Sequence, residues 1–506
     1  MALLLEYFSA AIPSTTVITT LIILGSISIL LLLLRNKSAA AISTRSHSAG
    51  KLPPPGPWKL PVIGNIHQLI GGGLPHHVLR ELAHKHGPHA KAHDLSFASR
   101  PRLLLGDVVL YGARDIGLAP YGPYWRQMRK ICVVELLSSR RVLSLRPVRE
   151  SEASKLVAAV ISAAAGGAAV DVSRLLLTST SSLIFRAAFG MAVDDDKEAE
   201  FMEIVSGLCE AMGGFAVSDL FPSVKFLPAL TGFRSRLTEL HLAADGMLED
   251  IIDEHKARRR NTAAAADRNY SEDLVDVFLN LQEDGGELEF PLTIESIKAV
   301  ILDIFLAGIE TTSTTVEWTM SELIRHPGAM QRAHDEVRKT FRGGVVDEEG
   351  LHNLAYLDSV IQESLRLHPP LPLLLPREAR ERAEVLGYEI PSGTKVIINA
   401  WAIGRDPRFW QEADKFVPER FTDRPSDYTG NNLEFIPFSS GRRMCPGMSF
   451  GWSAVKLTLA NMLYHFDWKL PSGITHENLD MTECFGAGVR RKHSLHLIPI
   501  AYDAMT

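Results

Sequence analysis

The sequence predicts a mainly α-helical chain with small β-sheets, led by an N-terminal transmembrane anchor helix. Three observations carry that prediction. Apolar residues recur at helical spacing over long stretches, the longest running from Ile297 to Arg325. Strand-like pieces are few and short: Lys395 to Asn399 alternates weakly, and Ser494 to Pro499 is a possible C-terminal strand. Val17 to Leu34 is almost wholly apolar and uncharged, and with Thr15 and Thr16 it reaches the length a helix needs to cross hydrocarbon.

Composition narrows the class. At 506 residues, with 46% hydrophobic and 22% charged residues, the chain can bury a large core and is neither disordered nor collagen-like. A formal charge of −6 gives no overall attraction to polyanions, so no nucleic acid partner is expected. The four cysteines (Cys132, Cys209, Cys445 and Cys484) lie too far apart for a disulfide scaffold or a zinc cluster.

The elements follow in order. Residues 1–35 form the anchor, with its helix at about 15–34. A cleaved signal peptide would carry its basic patch before the apolar run. Here Glu6 precedes it, while Arg35, Lys37, Arg45 and Lys51 follow, which leaves the body of the chain in the cytosol. Asn269-Tyr270-Ser271 matches a glycosylation acceptor, which that position makes inert. Residues 36–60 are a basic and proline-rich linker. Pro53-Pro54-Pro55-Gly56-Pro57 lacks most amide donors and reads as a stiff spacer. Residues 61–506 form one catalytic domain. Within it, Ala163 to Ala169 and Arg258 to Asn269 read as surface loops between helices. The helical pattern from Ile297 stops at His326-Pro327, and that from Tyr356 to Leu367 stops before Pro369-Pro370. No dinucleotide fingerprint and no P-loop occur, so the chain is not expected to bind its own dinucleotide or nucleoside triphosphate in the usual way.

The densest chemical signal is Phe438-Ser-Ser-Gly441-Arg442-Arg443-Met444-Cys445-Pro446-Gly447. Most free cysteines are small buried hydrophobes. Here two glycines flank the sulfur and allow a tight turn with close approach of a bulky planar group. Pro446 suits the start of a helix whose amides would point at the sulfur and, with Arg443 nearby, hold it as a thiolate.

This segment resembles the haem-binding signature F-x-x-G-x-R-x-C-x-G of the cytochrome P450 monooxygenases, with Phe438, Gly441, Arg443, Cys445 and Gly447 at its fixed positions. The resemblance implies the cytochrome P450 fold and haem b (iron-protoporphyrin IX) as cofactor. It makes Cys445 the metal ligand, pairs Arg443 with a propionate and packs Phe438 under the ring. Further motifs from Pro53 to the C-terminus follow in the family's order. Ala307-Gly308-Ile309-Glu310-Thr311 resembles the oxygen-activating motif. Ala307 and Gly308 would remove bulk where dioxygen sits, Thr311 would hydrogen-bond the oxygen being activated, and Glu310 with water would relay protons. Read without the resemblance, Thr311 simply bonds back to the carbonyl one turn earlier.

Trp125-Arg-Gln-Met-Arg129 resembles the family's W-x-x-x-R, which implies that Trp125 and Arg129 hold a propionate. The spacing equally describes a half-buried aromatic beside a charge. Pro376-Arg377 resembles another propionate-binding arginine. Glu363 and Arg366, with Arg420, would form a buried triad of structural role, although the pair alone reads as surface charge.

One departure stands out. Between Gly87-Pro88 and Asp94 only five residues, His89 to His93, replace a β-hairpin and short helix of roughly 25–30 residues, by ordinary element sizes, in the plant microsomal members the chain resembles. Two strands would be missing beside residues 395–399, which predicts lower stability and poorer haem retention.

The resemblance implies a monooxygenase of the plant microsomal A-type, similar to terpenoid-oxidising members. It would be single-pass in the endoplasmic reticulum membrane, in contact with lipid, and would use O2 and electrons from NADPH–cytochrome P450 reductase. Its substrate would be a lipophilic small molecule, because the walls at residues 103–119, 306–311, 371–375 and 485–489 are mostly Leu, Val, Ala, Ile and Gly. An aromatic or alkaloid substrate is the runner-up. Lys130, Arg140, Arg141 and Arg442 are the expected basic contacts for the reductase. The competing expectation is a haem protein impaired in turnover, or a non-folding variant, because of the missing hairpin.

Overall fold

The computed structural model describes residue 25 and residues 54–57, 73–86, 94–190, 195–212, 219, 232–265, 272–284, 288–422, 432–486 and 488–502. The anchor helix expected at about 15–34, most of the 36–60 linker and residues 87–93 at the gap lie outside these, Gly25 and residues 54–57 excepted.

The chain divides into two compact units. The small one comprises residues 1–91 with Glu384–Ile390; its described helix is Pro75–His86. The large one, Ala92–Ala383 with Pro391–Thr506, carries all the expected site residues. Its principal helices are α1 (Pro123–Ile131), α2 (Arg146–Ala163), α3 (Val172–Phe189), α4 (Asp195–Met212) and α5 (Phe233–Ala265). They continue as α6 (Leu274–Glu283), α7 (Ile294–Arg325), α8 (Ala355–Leu367) and α9 (Met448–His465).

Helix α7 is the spine. Thr293 caps it by accepting from the Ser296 amide at 3.2 Å, and it ends where Pro327 forbids continuation. Its first half, Ile297 to Ile309, packs with α3, α4, α5 and α6 in one apolar core. Its second half, Val316 to Ile324, packs with α2, α8 and α9 in another. Among the described residues it is the one helix long and apolar enough to cross a membrane, but two-thirds of its most apolar window is buried inside the protein. Core packing explains that hydropathy.

The sheets are small. Strand β1 (Val170–Asp171) pairs with the C-terminal strand, and β2 (Arg377–Glu378) pairs antiparallel with β3 (Lys395–Val396), Arg377 opposite Val396. A bridge from Ser99 to Glu378 covers the other edge of β2. Strand β4 (Phe466–Lys469) joins the C-terminal strand, while β5 (Glu483–Phe485) and β6 (Val489–Arg491) form a hairpin. The C-terminal strand β7 (His496–Ala501) lies two residues further along than the sequence suggests.

Two expectations need correction. The strand expected at 395–399 is only two residues long. The loop expected from Arg258 does not begin there, because α5 continues to Ala265. Alanine favours helix, and the charges that suggested a solvated loop are paired. Arg258 reaches Asp273 at 2.8 Å, and Arg259 reaches Glu283 at 2.8 Å.

Candidate active site

The cysteine loop is held from several sides. Gly441 adopts φ +68°, and a Cβ there would lie 2.1 Å from Asp94 Oδ1, so no larger residue fits. Asp94 accepts from Arg377 at 3.2 Å and from the Arg442 side chain at 2.9 Å. Arg377 also donates to the Ser440 carbonyl at 2.8 Å. The Cys445 amide donates to the Phe438 carbonyl at 2.9 Å, closing the loop, and Phe438 packs against the α8–α9 core. Gly447 is the residue at the N-terminus of α9, and its amide hydrogen-bonds the Cys445 sulfur. Burial pushes the thiol above its ordinary range, while the Gly447 amide and the Arg129 guanidinium pull the other way. A Cβ at Gly447 would meet nothing within 4 Å, so the loop leaves room on the Gly447 side.

Arginines surround this loop. Arg129 donates to the Met444 carbonyl at 2.5 Å. Arg443 is buried, donates to the carbonyls of Ala98, Ile116 and Ala119, and stacks 4.1 Å above the Trp125 ring. The Trp125 indole donates to the Ile116 carbonyl at 3.0 Å. Sequence reasoning missed a fourth member. Arg100, also buried, donates to Gly117, Leu375 and Pro376 carbonyls. Its signal was an arginine followed by proline inside an otherwise apolar stretch. Burial first, then the neighbouring guanidiniums, push both Arg100 and Arg443 down to about 9. Guanidinium does not give up its proton in such a site. The depression reflects burial first and the crowding of guanidiniums second, so a bound anion would relieve it.

Helix α7 opens where the motif lies. Ala307 is exposed within a helix whose flanking turns are buried, and Gly308, Glu310 and Thr311 are half-buried. Thr311 Oγ1 donates to the Ala307 carbonyl at 2.6 Å, the back-bond that its residue type allows. Gly308 serves packing: a Cβ there would sit 2.9 Å from Ile184 Cδ1 of α3. Burial raises the Glu310 carboxyl against the pull of Arg490, the Gly488 amide and the Cys209 thiol, and Oε2 has no protein hydrogen-bond partner. Trp318 steadies the adjoining wall, stacking on His368 at 4.2 Å and donating to the Val489 carbonyl at 2.9 Å.

The expected triad is assembled. Arg366 makes a bidentate pair with Glu363, both bonds 2.7 Å, and Arg420 reaches the same carboxylate at 3.2 Å. The remaining Arg366 donors go to the carbonyls of Gly404, Ala413 and Lys415. Lys130, Arg140 and Arg442 are exposed, while Arg141 donates to the Glu272 carbonyl at 2.9 Å.

Comparison with known proteins agrees with this geometry. The cytochrome P450 family model matches residues 90–497. The chain belongs to the cytochrome P450 monooxygenase family. It is 50% identical over 469 residues to desmethyl-deoxy-podophyllotoxin synthase of Sinopodophyllum hexandrum, covering 88% of this chain and 91% of that protein. Against premnaspirodiene oxygenase of Hyoscyamus muticus the identity is 46%, covering 90% and 94% respectively. Among solved structures, a zebrafish cytochrome P450 with progesterone superposes with a TM-score of 0.69 at 24% identity, over 84% of this chain and 99% of that one. That likeness establishes the P450 fold.

Proposed function

We propose that this P450 is a microsomal, membrane-anchored monooxygenase that inserts one oxygen atom from O2 into a lipophilic plant metabolite, with terpenoids as the first class to test. The observation that carries the reading is the Cys445 loop: a thiol facing the Gly447 amide, in a loop with room on its Gly447 side and buried guanidiniums around it. Those residues fit haem b. The Cys445 thiolate would ligate the iron, and the buried guanidiniums would pair with a group that brings two carboxylates. Bound there, haem supplies the redox centre at which dioxygen is activated.

The protein's own residues do the rest. Cys445 ligates the iron, and the Gly447 amide and Arg129 stabilise its negative charge. Arg100, Arg129, Arg377 and Arg443 hold the propionates, while Trp125 acts as the platform that aims Arg443. Phe438 and Gly447 shape the loop against the ring. Thr311 keeps its oxygen lone pairs directed into the opening while its proton rests on the Ala307 carbonyl. Glu310, its carboxyl raised by burial and its Oε2 without a protein hydrogen-bond partner, would relay protons through water. Electrons come from NADPH through a reductase docking on the face that carries Lys130, Arg140 and Arg442. The apolar run near the N-terminus fixes the enzyme to the endoplasmic reticulum membrane.

Relatives named premnaspirodiene oxygenase, 5-epiaristolochene 1,3-dihydroxylase and germacrene A hydroxylase support the terpenoid class. The 50% identity to desmethyl-deoxy-podophyllotoxin synthase favours a second class, the substrate of that enzyme. The reduced carbon-monoxide complex tests the haem site: a strongly red-shifted Soret band is expected, and Cys445→Ser should abolish it. Reconstitution with a reductase and NADPH, followed by incubation with premnaspirodiene, 5-epiaristolochene, germacrene A and desmethyl-deoxy-podophyllotoxin precursors, then separates the classes. Oxygenated products from none of them would remove both substrate readings.

A further inference from the structure

Two carboxyls meet in the wall that joins the 115–118 turn to helix α7. Asp303 Oδ2 accepts the amides of Ile116 at 2.9 Å and Gly117 at 2.8 Å. Asp115, fully buried, accepts the Leu118 amide on Oδ2 at 2.5 Å. Its other oxygen, Oδ1, is buried without a protein hydrogen-bond partner. The two carboxyls flank Gly117: a Cβ there would lie 3.0 Å from Asp303 Oδ1 and 3.2 Å from Asp115 Oδ2. Two ionised carboxylates this close, one of them fully buried, repel; a proton held by one removes the repulsion and supplies a donor to the other.

We propose that Asp115 and Asp303 share one proton and that the pair is a positioning latch, fixing the 115–118 turn against α7 two helical turns before Glu310. Asp303, with two amide donors, is the partner better able to carry the charge, so the proton resides on Asp115. Burial, then repulsion by Asp303, raises the Asp115 carboxyl well above its ordinary range. The charged and titratable groups facing the pair are Arg100 and Arg443 from the arginine cluster, Tyr124 of α1 and Cys132 just beyond it. Neither arginine hydrogen-bonds the pair; their hydrogen bonds within the protein go to backbone carbonyls. Because the latched state binds the proton more tightly than an open one, the latch holds below the raised Asp115 value. It weakens as rising pH removes the Asp115 proton. The same turn lies in the wall expected to face substrate and carries the carbonyl of Ile116 that receives Trp125 and Arg443. Its position thus bears on both the chamber and the haem side, and only this consequence rests on the oxygenase reading.

The test uses the full chain loaded with haem and follows hydrogen exchange of the Ile116, Gly117 and Leu118 amides, corrected for intrinsic rates, from acid to alkaline pH. In the parent, protection should drop about tenfold or more on the alkaline side, the effect of losing one hydrogen bond to a charged group. Asp115→Asn keeps a donor toward Asp303 and an acceptor for Leu118, so it should hold protection flat across the range. Asp303→Ala should lower protection at every pH. Where that variant fails to fold, Gly117→Ala replaces it by driving a methyl group between the carboxyls. Infrared spectra at neutral pH should show one protonated buried carboxyl band that Asp115→Asn removes. A parent without that band, or an Asp115→Asn protein as loose as Asp303→Ala, would overturn the latch. Absence of the red-shifted carbon-monoxide band would instead sink the haem reading and leave these two measurements standing.

Discussion

Thr311 and Gly308 stand three residues apart in one motif and answer to different forces. The Thr311 hydroxyl lies in the half-open part of α7 with its proton on the Ala307 carbonyl. Thr311→Ala removes the only hydroxyl at that step of the helix. Product formed per NADPH should fall by about tenfold to a hundredfold, toward the contribution of a positioned proton-transfer group, while NADPH consumption continues. Unchanged yield would remove Thr311 from proton delivery. Gly308 is constrained by packing instead: its missing side chain makes room for Ile184. Gly308→Ala should cost about 1–3 kcal/mol of stability through overpacking. Ile184→Val in the same chain, which deletes the clashing Cδ1, should recover most of it. Thermal unfolding measures both. The motif was legible as a whole from spacing. The division of labour inside it was not, because which way a glycine's absent side chain faces depends on a helix more than a hundred residues upstream.

Where one element meets another, buried charges decide the geometry. Glu363 and Arg366 of α8 looked like a surface pair when taken alone, and the structure buries both completely with every Arg366 donor used. Glu363→Ala strands a guanidinium in the core and should cost about 3–5 kcal/mol. The measured fall in haem occupancy should be larger than for the neighbouring surface change Glu419→Ala. A second junction escaped sequence reading. His255 of α5 places Nδ1 at 2.7 Å from the Ile251 carbonyl and Nε2 at 2.9 Å from Asp273, the cap of α6. Both partners are acceptors, so both ring nitrogens must carry hydrogen. Burial pushes the imidazole down, but the Asp273 hydrogen bond outweighs it and the net shift is upward; Asp273 itself is held below the usual carboxylate range. A raised folded-state value means the clamp acts in full below the ordinary imidazole range and fades as pH climbs through the raised value. Melting temperature should decline across that alkaline window in the parent, and His255→Gln should lose the decline. No periodicity marks such a pair, because its partners lie on separate helices and their charge looks like that of any polar loop.

Across the large unit, buried charge around the cysteine loop bears on stability. Arg100, Arg377 and Arg443 are buried around the cysteine loop, Arg129 joins them, and Asp94 is the carboxylate hydrogen-bonded to Arg377 there. On the proposed reading, haem b would bring two propionates to that cluster. Reconstitution with the haem dimethyl ester, which has no carboxylates, should leave the guanidiniums unpaired and lower stability on the order of 3–5 kcal/mol. Equal melting temperatures for the two haems would remove the propionate assignment. We propose that the short stretch before Asp94 bears on the same region by leaving the β2–β3 sheet short. Strand β3 stops at Val396, and the next residue, Ile397, is 41% exposed, a large apolar side chain at the end of a two-residue strand. The alignment with premnaspirodiene oxygenase runs over 483 positions yet takes up 90% of this 506-residue chain, which supports a stretch of the relative lacking a counterpart here. An unpaired strand end exposes donors and acceptors and leaves apolar area uncovered. Inserting the relative's segment between Pro88 and Asp94 should lengthen the β2–β3 sheet, cover Ile397 and raise both melting temperature and haem occupancy. Each is read against the parent under identical expression. Comparable occupancy and melting with and without the insert would mean that the Ser99 bridge to β2 already supplies all the support this edge needs.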